Sequence, residues 1–288
     1  MSKSLNKPQI NLNYLKGFTM TVEELIAMGF DKESAEQLVK AQGGGGGTGL
    51  PFPVLKINYD TKDILIDHGV KKGELISGWK IDSKTLSVSE EGEVIPQPLE
   101  FFIVASVYQK SYYDTASHST KHITNIYYDP FDTKKQIDIK TGKTVEEVEA
   151  LLGKKMKFNN IWLIMAKVND EWKPYIVYMH GTNYYKWGEQ LSELGIDPNS
   201  VALKYVFKVS TKKIPTSYNP AWVFIIDDAI ERSIENIAET AKITSEAIKK
   251  FTNWINSSNQ GSSVVSEEEA ETVTTAPADT DEEINFES

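Results

Sequence analysis

The sequence predicts a mainly β protein with helices at both ends. Three observations carry this. Between Leu50 and Ile226, short runs rich in β-branched and aromatic residues recur, separated by turn residues. Before them lies GGGGGTG, Gly43 to Gly49, which no regular element accommodates. After Asp227, apolar residues recur at alternating spacings of four and three, a helical period. Many short strands with one or two helical connectors point to an OB-like Greek-key barrel.

Each element has its own local signal. Residues 1–42 form a helical arm: MTVEELIAMGFDKESAEQLVKAQ (20–42) reads as two short helices broken at Gly29, with Thr21 and Asp31 as N-caps. Met28–Gly29–Phe30 resembles the opening of a ubiquitin-associated domain, but a glycine run stands where a third helix belongs. The alternative is a tethered apolar face for self-association. Residues 43–49 are the linker and 50–226 the OB-like domain. Its expected strands are 54–59, 63–67, 100–110, 122–128, 161–168, 172–180, 201–210 and 221–226. VNDEW (168–172) joins two of them as a hairpin turn, because Asn169 and Asp170 tolerate the required backbone angles. Two helices interrupt the strands, 144–153 and 185–195, each ending on glycine.

Residues 227–256 are expected to be a helix whose stripe is Ile230, Ile234, Ile237, Ala241, Thr244, Ile248, Phe251 and Ile255. That stripe packs against the body or a subunit neighbour, or forms a coiled coil. Residues 257–288 have almost no apolar content to offset the entropy of ordering, so a disordered tail is expected.

Charge divides the chain. The formal net charge is −10, and nine acids in residues 267–288 account for all but one of those charges. Residues 50–109 carry 6 Lys against 9 acids, whereas residues 110–225 carry 16 Lys against 12 acids. A polyanionic partner suits that basic half. Only Arg232 is arginine, so the cations suit phosphate rather than the bidentate reading of guanine. There are no cysteines, which excludes disulfides, thiol catalysis and zinc ribbons. No run approaches a membrane span, and MSKSLNKPQINLNYLKGF lacks the apolar middle of a signal peptide, so a cytoplasmic protein is expected.

Binding a single strand takes flat rings to stack on bases and cations to follow phosphates. Four stretches mix the two: YQKSYYDTASHSTKH (108–122), GKKMKFNN (153–160), NYYKWG (183–188) and KVSTKK (208–213). The candidate contacts are Lys110, Tyr112, Tyr113, Lys121, Lys154, Lys155, Lys157, Tyr184, Tyr185, Lys186, Trp187, Lys204, Lys208, Lys212 and Lys213. In 201–210, Val201, Leu203, Tyr205 and Phe207 are expected on a core face, with Lys204 and Lys208 on the other. Core packing and ordinary surface lysines are the competing explanation for each.

The tail adds a second pattern. In DTDEEINF (279–286), Asp279, Asp281, Glu282 and Glu283 precede Ile284 and Phe286. This resembles the single-stranded DNA-binding proteins of bacteria and their phages. The resemblance implies an OB-fold body and a flexible acidic tail that recruits replication and recombination proteins through an anchoring aromatic, here Phe286. Glu287 and Ser288 follow it, whereas bacterial members commonly end on the aromatic, so a phage-specific partner is implied. The acids also act as surrogate phosphates in the basic groove until nucleic acid displaces them.

The expected function is therefore to coat single-stranded DNA in phage replication or recombination, within the host cytoplasm, with no cofactor and no catalysis. Two alternatives stand beside it. One is a virion or scaffold β module without nucleic-acid binding. The other is a metal-dependent nuclease using Asp132 and Glu171, although Asp170 and Glu171 read better as turn residues. His118 and His122 have the spacing of helix-borne metal ligands but lie in a loop running into a strand, without a third ligand.

Overall fold

The computed structural model describes residues 26, 27, 32, 50–59, 63–82, 85, 87–114, 119–129, 131, 135–216 and 220–259. Residues 26, 27 and 32 are helical. The remainder of the expected arm, the glycine linker and residues 260–288 lie outside the described residues, as do His118 and Asp132.

The architecture is mainly β with α. One antiparallel sheet contains β6 (Leu99–Asp114), β7 (Ser119–Ile123), β8 (Lys157–Val168), β9 (Glu171–Met179), β10 (Tyr205–Ile214) and β11 (Ala221–Glu231), in the order β11-β10-β6-β8-β9 with β7 beside the far end of β6. A smaller sheet has the order β1-β2-β5: Leu55–Ile57, Leu75–Ser77 and Glu93–Ile95. β3 (Lys80–Asp82) and β4 (Ser87–Glu90) form a separate hairpin. Among the described residues β9 and β11 do not pair with each other, so the large sheet is open and these strands close no barrel.

The sheet is buried on both faces in its middle, and the sequence dictates how. In β8 Trp162, Ile164 and Ala166 join one apolar cluster, while Ile161, Leu163 and Met165 join another. A continuous apolar run is what a strand covered on both sides needs. In β6 Phe101 and Ile103 face the first cluster and Phe102 the second. The register then slips between Ile103 and Ala105. Val104, Ala105 and Val107 all serve the second cluster as a result.

Helices cover the two faces. α1 (Val145–Leu152) opens on Thr144, which forms a reciprocal capping box with Glu147 and stops at Gly153 with φ 62°. α2 (Gly181–Glu193) lays Trp187 and Leu191 on the first cluster. It starts four residues before the expected helix. Its amides also occupy the open edge of β11: Phe224 N donates to Asn183 Oδ1 (2.9 Å) and Ile226 N to Gln190 Oε1 (2.9 Å). Edge groups satisfied by side chains cannot recruit a stray strand. The small sheet docks on the same face, where Gly73 lies against the Trp222 ring so closely that a Cβ would sit 2.4 Å from it.

α3 (Ile234–Asn259) covers the second face. Of the predicted stripe, Ala241, Thr244, Ile248, Phe251 and Ile255 are buried, Ile237 is half-buried, and Ile230 and Ile234 are exposed. The stripe from 241 onward is thus spent on the body rather than on a coiled coil. Full burial of each large member stabilises by about 1.5–3 kcal/mol.

Several boundaries differ from expectation. Residues 63–67 form no strand: Asp63 takes φ 59° and a 3-10 turn runs Ile66–His68. Only Leu65 is buried there, so the segment is a single anchor without an alternating face. β11 continues to Glu231, past the expected helix start at 227, because Ile230 and Glu231 still pair with Val206 and Tyr205. α3 begins at a Ser233–Asn236 cap, with Asn236 N donating to Ser233 Oγ at 3.2 Å. It ends at Asn259 rather than 256, pinned by two hydrogen bonds with Ile126: Ile126 N donates to Asn259 Oδ1 (2.6 Å) and Asn259 Nδ2 donates to Ile126 O (2.8 Å). β10 starts at Tyr205, since Leu203 has φ 61° and turns into the second cluster while Tyr205 and Phe207 face the first. No helix among the described residues is long and apolar enough to cross a membrane.

Candidate nucleic-acid interface

Beyond the cover of α2, the α2 face of the sheet continues along the far ends of β6 and β8. Tyr108 and Lys110 of β6 and Phe158 of β8 project there, because they keep the parity of Ser106 and Trp162. Tyr127 pairs with Tyr108 through two backbone hydrogen bonds, 2.8 and 3.0 Å. The first turn of α2 brings Tyr184 and Tyr185 to the other side.

The five rings form one continuous row across the strands. Tyr127 and Tyr108 stack at 6.2 Å and 29°, and Tyr108 and Phe158 at 5.4 Å and 27°. Phe158 meets Tyr184 edge-on at 5.6 Å, and Tyr184 meets Tyr185 at 5.8 Å. Exposure rises along it: Tyr127 is buried, Tyr108, Phe158 and Tyr184 are half-buried, and Tyr185 is 70% exposed. Burial raises the pKa of Tyr108, and nearby Asp129 adds to this while a bond to Ser106 opposes it. Burial likewise raises Tyr184, with Tyr108 and Tyr185 contributing, and Tyr127, with Tyr108 contributing. All three phenols therefore stay neutral near neutral pH and present no charge against a phosphate. The buried Tyr127 hydroxyl has no hydrogen-bond partner among the described residues. Such a group costs about 1–3 kcal/mol until something satisfies it.

Cations stand beside this row. Lys110 lies in register with Phe158, and Lys157 with Ser111. Lys121 lies on β7, next to His122, which pairs with Tyr112. Lys121, Lys154 and Lys157 are exposed, Lys110 is half-buried, and none of the four makes an ion pair among the described residues. The sheet end thus brings Lys110, Tyr184 and Tyr185 of the expected set to the face of the row, with Lys121 on neighbouring β7. Lys157 has the opposite parity, like Tyr113, and faces away, and Lys154 lies beside Glu146 and Glu149 of α1.

The other candidates are elsewhere or otherwise engaged. Trp187 is a core residue, 4% exposed, packed on Phe101, Trp162 and Phe207 at 5.1–5.8 Å. Its place on the buried stripe of α2 removes it from any surface. Tyr112 packs on Leu152 with the Val145–Val148–Met156 cluster, so it supports α1. Tyr113 has the opposite parity on β6 and faces away from the row. Lys155 pairs with Glu149 at 3.0 Å, Lys186 with Glu189, and Lys204 with Glu231 at 3.5 Å. Lys208, Lys212 and Lys213 belong to the end of β10 that pairs with the start of β6. Twelve residues of β6 separate Leu99 from Ser111, roughly 40 Å at about 3.3 Å per residue. One site does not hold both groups. The tail residues Asp279, Asp281, Glu282, Glu283, Ile284 and Phe286 are outside the described residues.

Tyr108, Tyr127 and Phe158 were not singled out from the sequence. A signal existed for two of them. Period-2 alternation puts Tyr108, Lys110 and Tyr112 on one face, and Phe158 shares parity with Trp162. Tyr127 arrives through a bridge after an irregular loop, which no local pattern announces.

One polar cluster flanks the row. Asp138, buried, accepts bonds from Ile123 N (3.0 Å) and from Thr141 N (3.1 Å) and Oγ1 (2.6 Å), and lies 3.2 Å from His122 Nδ1. Burial pushes the carboxyl up, but these hydrogen bonds outweigh it and hold the pKa below the ordinary value. His122 is thereby committed to Asp138. Among the described residues no group of three His, Asp or Glu forms a metal cage. Asn169 and Asp170 carry φ 54° and 62° in the β8–β9 hairpin turn, as expected. No protein-family model matches this chain, and neither do curated proteins or solved structures.

Proposed function

We propose that this protein binds single-stranded nucleic acid, single-stranded DNA by preference of the tail resemblance, along the row Tyr127–Tyr108–Phe158–Tyr184–Tyr185. The observation that carries the reading is the row itself, a continuous aromatic path left partly uncovered beside Lys110 and Lys121, neither of which makes an ion pair among the described residues. Rings that stack across strands offer bases a sequence-tolerant platform, and each base stacked contributes about 1–3 kcal/mol by truncation. The lysines follow the phosphates as point charges. In this reading the OB-like element narrows to one wall, β6, β7 and β8, and the acidic tail competes for the same cations and recruits replication or recombination proteins once displaced.

The test is fluorescence anisotropy with oligo-dT at two salt concentrations, with and without magnesium, on the whole chain and on residues 1–266. Binding that weakens steeply with salt is expected, because each neutralised phosphate releases counterions. Removing 267–288 is expected to tighten it. A chain that ignores oligonucleotides at low salt in both forms sinks the proposal. Magnesium-dependent cleavage instead of binding turns it to a nuclease. Intrinsic tryptophan quenching is a poor reporter of stacking on the row, since none of the six tryptophans belongs to it and Trp79, Trp162 and Trp187 are buried.

A further inference from the structure

The opposite face carries a feature of contrary charge. A groove of about 330 Å³ opens between β10, β11 and the first turns of α3. Val206, Trp172 and Ile230 line it together with the acids Glu100, Asp228, Glu231 and Glu239. Lys208 and the buried Arg232 are the cations within it. Arg232 is spoken for: its guanidinium lies 3.7 Å over the Phe102 ring and donates to Leu203 O (3.2 Å), Asn236 O (2.9 Å) and Thr240 Oγ1 (2.6 Å). Ile230 is 61% exposed, and Ile234 beside it is exposed too. Large apolar side chains left in the open next to acids mark a docking surface.

Charge decides among the segments of this chain that could cover it. Residues 267–288 bring nine acids and no cation. Residues 21–42 carry five acids against two lysines. Residues 1–20 carry Lys3, Lys7 and Lys16 and no acid, with Ile10, Leu12 and Tyr14 at every second position of the sequence. The path of the chain agrees. Phe52 and Val54 pack on the same apolar cluster as Trp172, which lines the groove. Val54 pairs with Ile176 of β9 in parallel, so the chain before Val54 runs back toward the Trp172 end of that strand. About thirty residues then join residue 20 to Leu50. Even at the roughly 1.5 Å rise per residue of a helix that length reaches about 45 Å, while β9 and β11 lie about four strand spacings, or roughly 19 Å, apart.

We infer that residues 1–20 of the same chain dock in the groove formed by β10, β11 and α3, their lysines meeting its acids and Ile10, Leu12 and Tyr14 covering Ile230 and Ile234. A short tether favours its own groove, because the linked segment is present at millimolar effective concentration.

The chain has no cysteine, so two introduced thiols report proximity cleanly in the full-length protein. The pair Leu12→Cys with Ile230→Cys is expected to form a disulfide under mild oxidation at least tenfold faster than Leu12→Cys with Lys121→Cys. Its rate should be independent of protein concentration and its product of monomer mass. Adding Glu231→Lys and Glu239→Lys to the first pair is expected to slow it at least threefold. Equal rates for the two pairs overturn the inference. So do products of dimer mass, which assign the groove to a neighbouring copy, or a rate indifferent to the charge reversals.

Discussion

The two faces of the large sheet share strands but end differently. On both, the middle of β6 and β8 is sealed, by α2 and the small sheet on one side and by α3 on the other. On the α2 face the cover stops short at the far end of the strands, leaving rings and unpaired lysines. On the α3 face it stops short at the near end, leaving isoleucines among acids. A continuous apolar run in β8 and a bulged one in β6 made the core. What each face can bind is decided where its helix runs out, and by which charges stand there.

The comparison breaks most violently at Trp187, the candidate that proved to be core. Trp187→Ala is expected to cost about 3–5 kcal/mol, because a large buried ring leaves a cavity that its neighbours fill only in part. Urea denaturation measures it. A loss below about 1 kcal/mol would mean the ring is not the hub its three aromatic contacts make it. The contrasting change, Tyr185→Ala, touches an exposed ring and should move stability by less than about 0.5 kcal/mol.

Next in size are the rings of the uncovered end. Phe158→Leu and Tyr108→Leu keep apolar bulk in the sheet but remove the stacking surface. Each is expected to weaken oligo-dT binding by about 1–3 kcal/mol, a factor of roughly 5 to 150. Lysine changes sharpen the same contrast. Lys110→Ala and Lys121→Ala should each flatten the salt dependence by about 0.7 in log–log slope. Lys212→Ala and Lys213→Ala, at the other end, should leave the slope unchanged. Equal effects from the two pairs would dissolve the distinction between the ends.

Much of this was legible in the sequence where one local rule ruled alone. β8 reads as a strand because IWLIMA offers a large apolar residue to both faces. α1 reads as a helix because Thr144, Glu147 and Gly153 mark its ends. Legibility failed where two rules met. Residues 63–67 have strand-like composition, yet a left-handed Asp63 and one buried leucine make a turn. NYYKWG looks like an exposed mixture of rings and charge, but Trp187 lies four residues before Leu191, and helical spacing puts both on the buried stripe while Tyr185 falls off it. The aromatic row joins residues up to 77 positions apart across two strands, a bridge and a helix (Tyr108 to Tyr185). Pairing assembles it, so single-stretch reading finds only its pieces.

Smaller effects attach to the supports of the basic end. Asp138 has a carboxyl pKa held below its unfolded value near 3.9. The stability it contributes is complete above that unfolded value and is lost as pH falls through the lower folded one. Asp138→Asn should therefore lower the urea midpoint at pH 7 and flatten the midpoint's fall as pH drops below the unfolded value near 3.9. An unchanged acid profile would show that the cluster titrates without consequence for folding.

The least of these supports is the cap on α1. Thr144 Oγ1 accepts from Glu147 N at 3.3 Å, and Glu147 Oε2 accepts from Thr144 N at 2.8 Å. An eight-residue helix is too short to hold itself in water, so its ends and its few buried residues decide whether it forms. Thr144→Ala is expected to cost about 1 kcal/mol, and Thr144→Ser nearly nothing. Because α1 buries Val145 and Val148 in the cluster that Tyr112 packs against, fraying it should loosen the β6–β7 end while the α3 face stays intact. Amide exchange reads the difference: faster exchange at Thr124 and Lys110 with no change at Phe251 is the expected pattern. Uniform acceleration would mean that the two ends unfold as one unit.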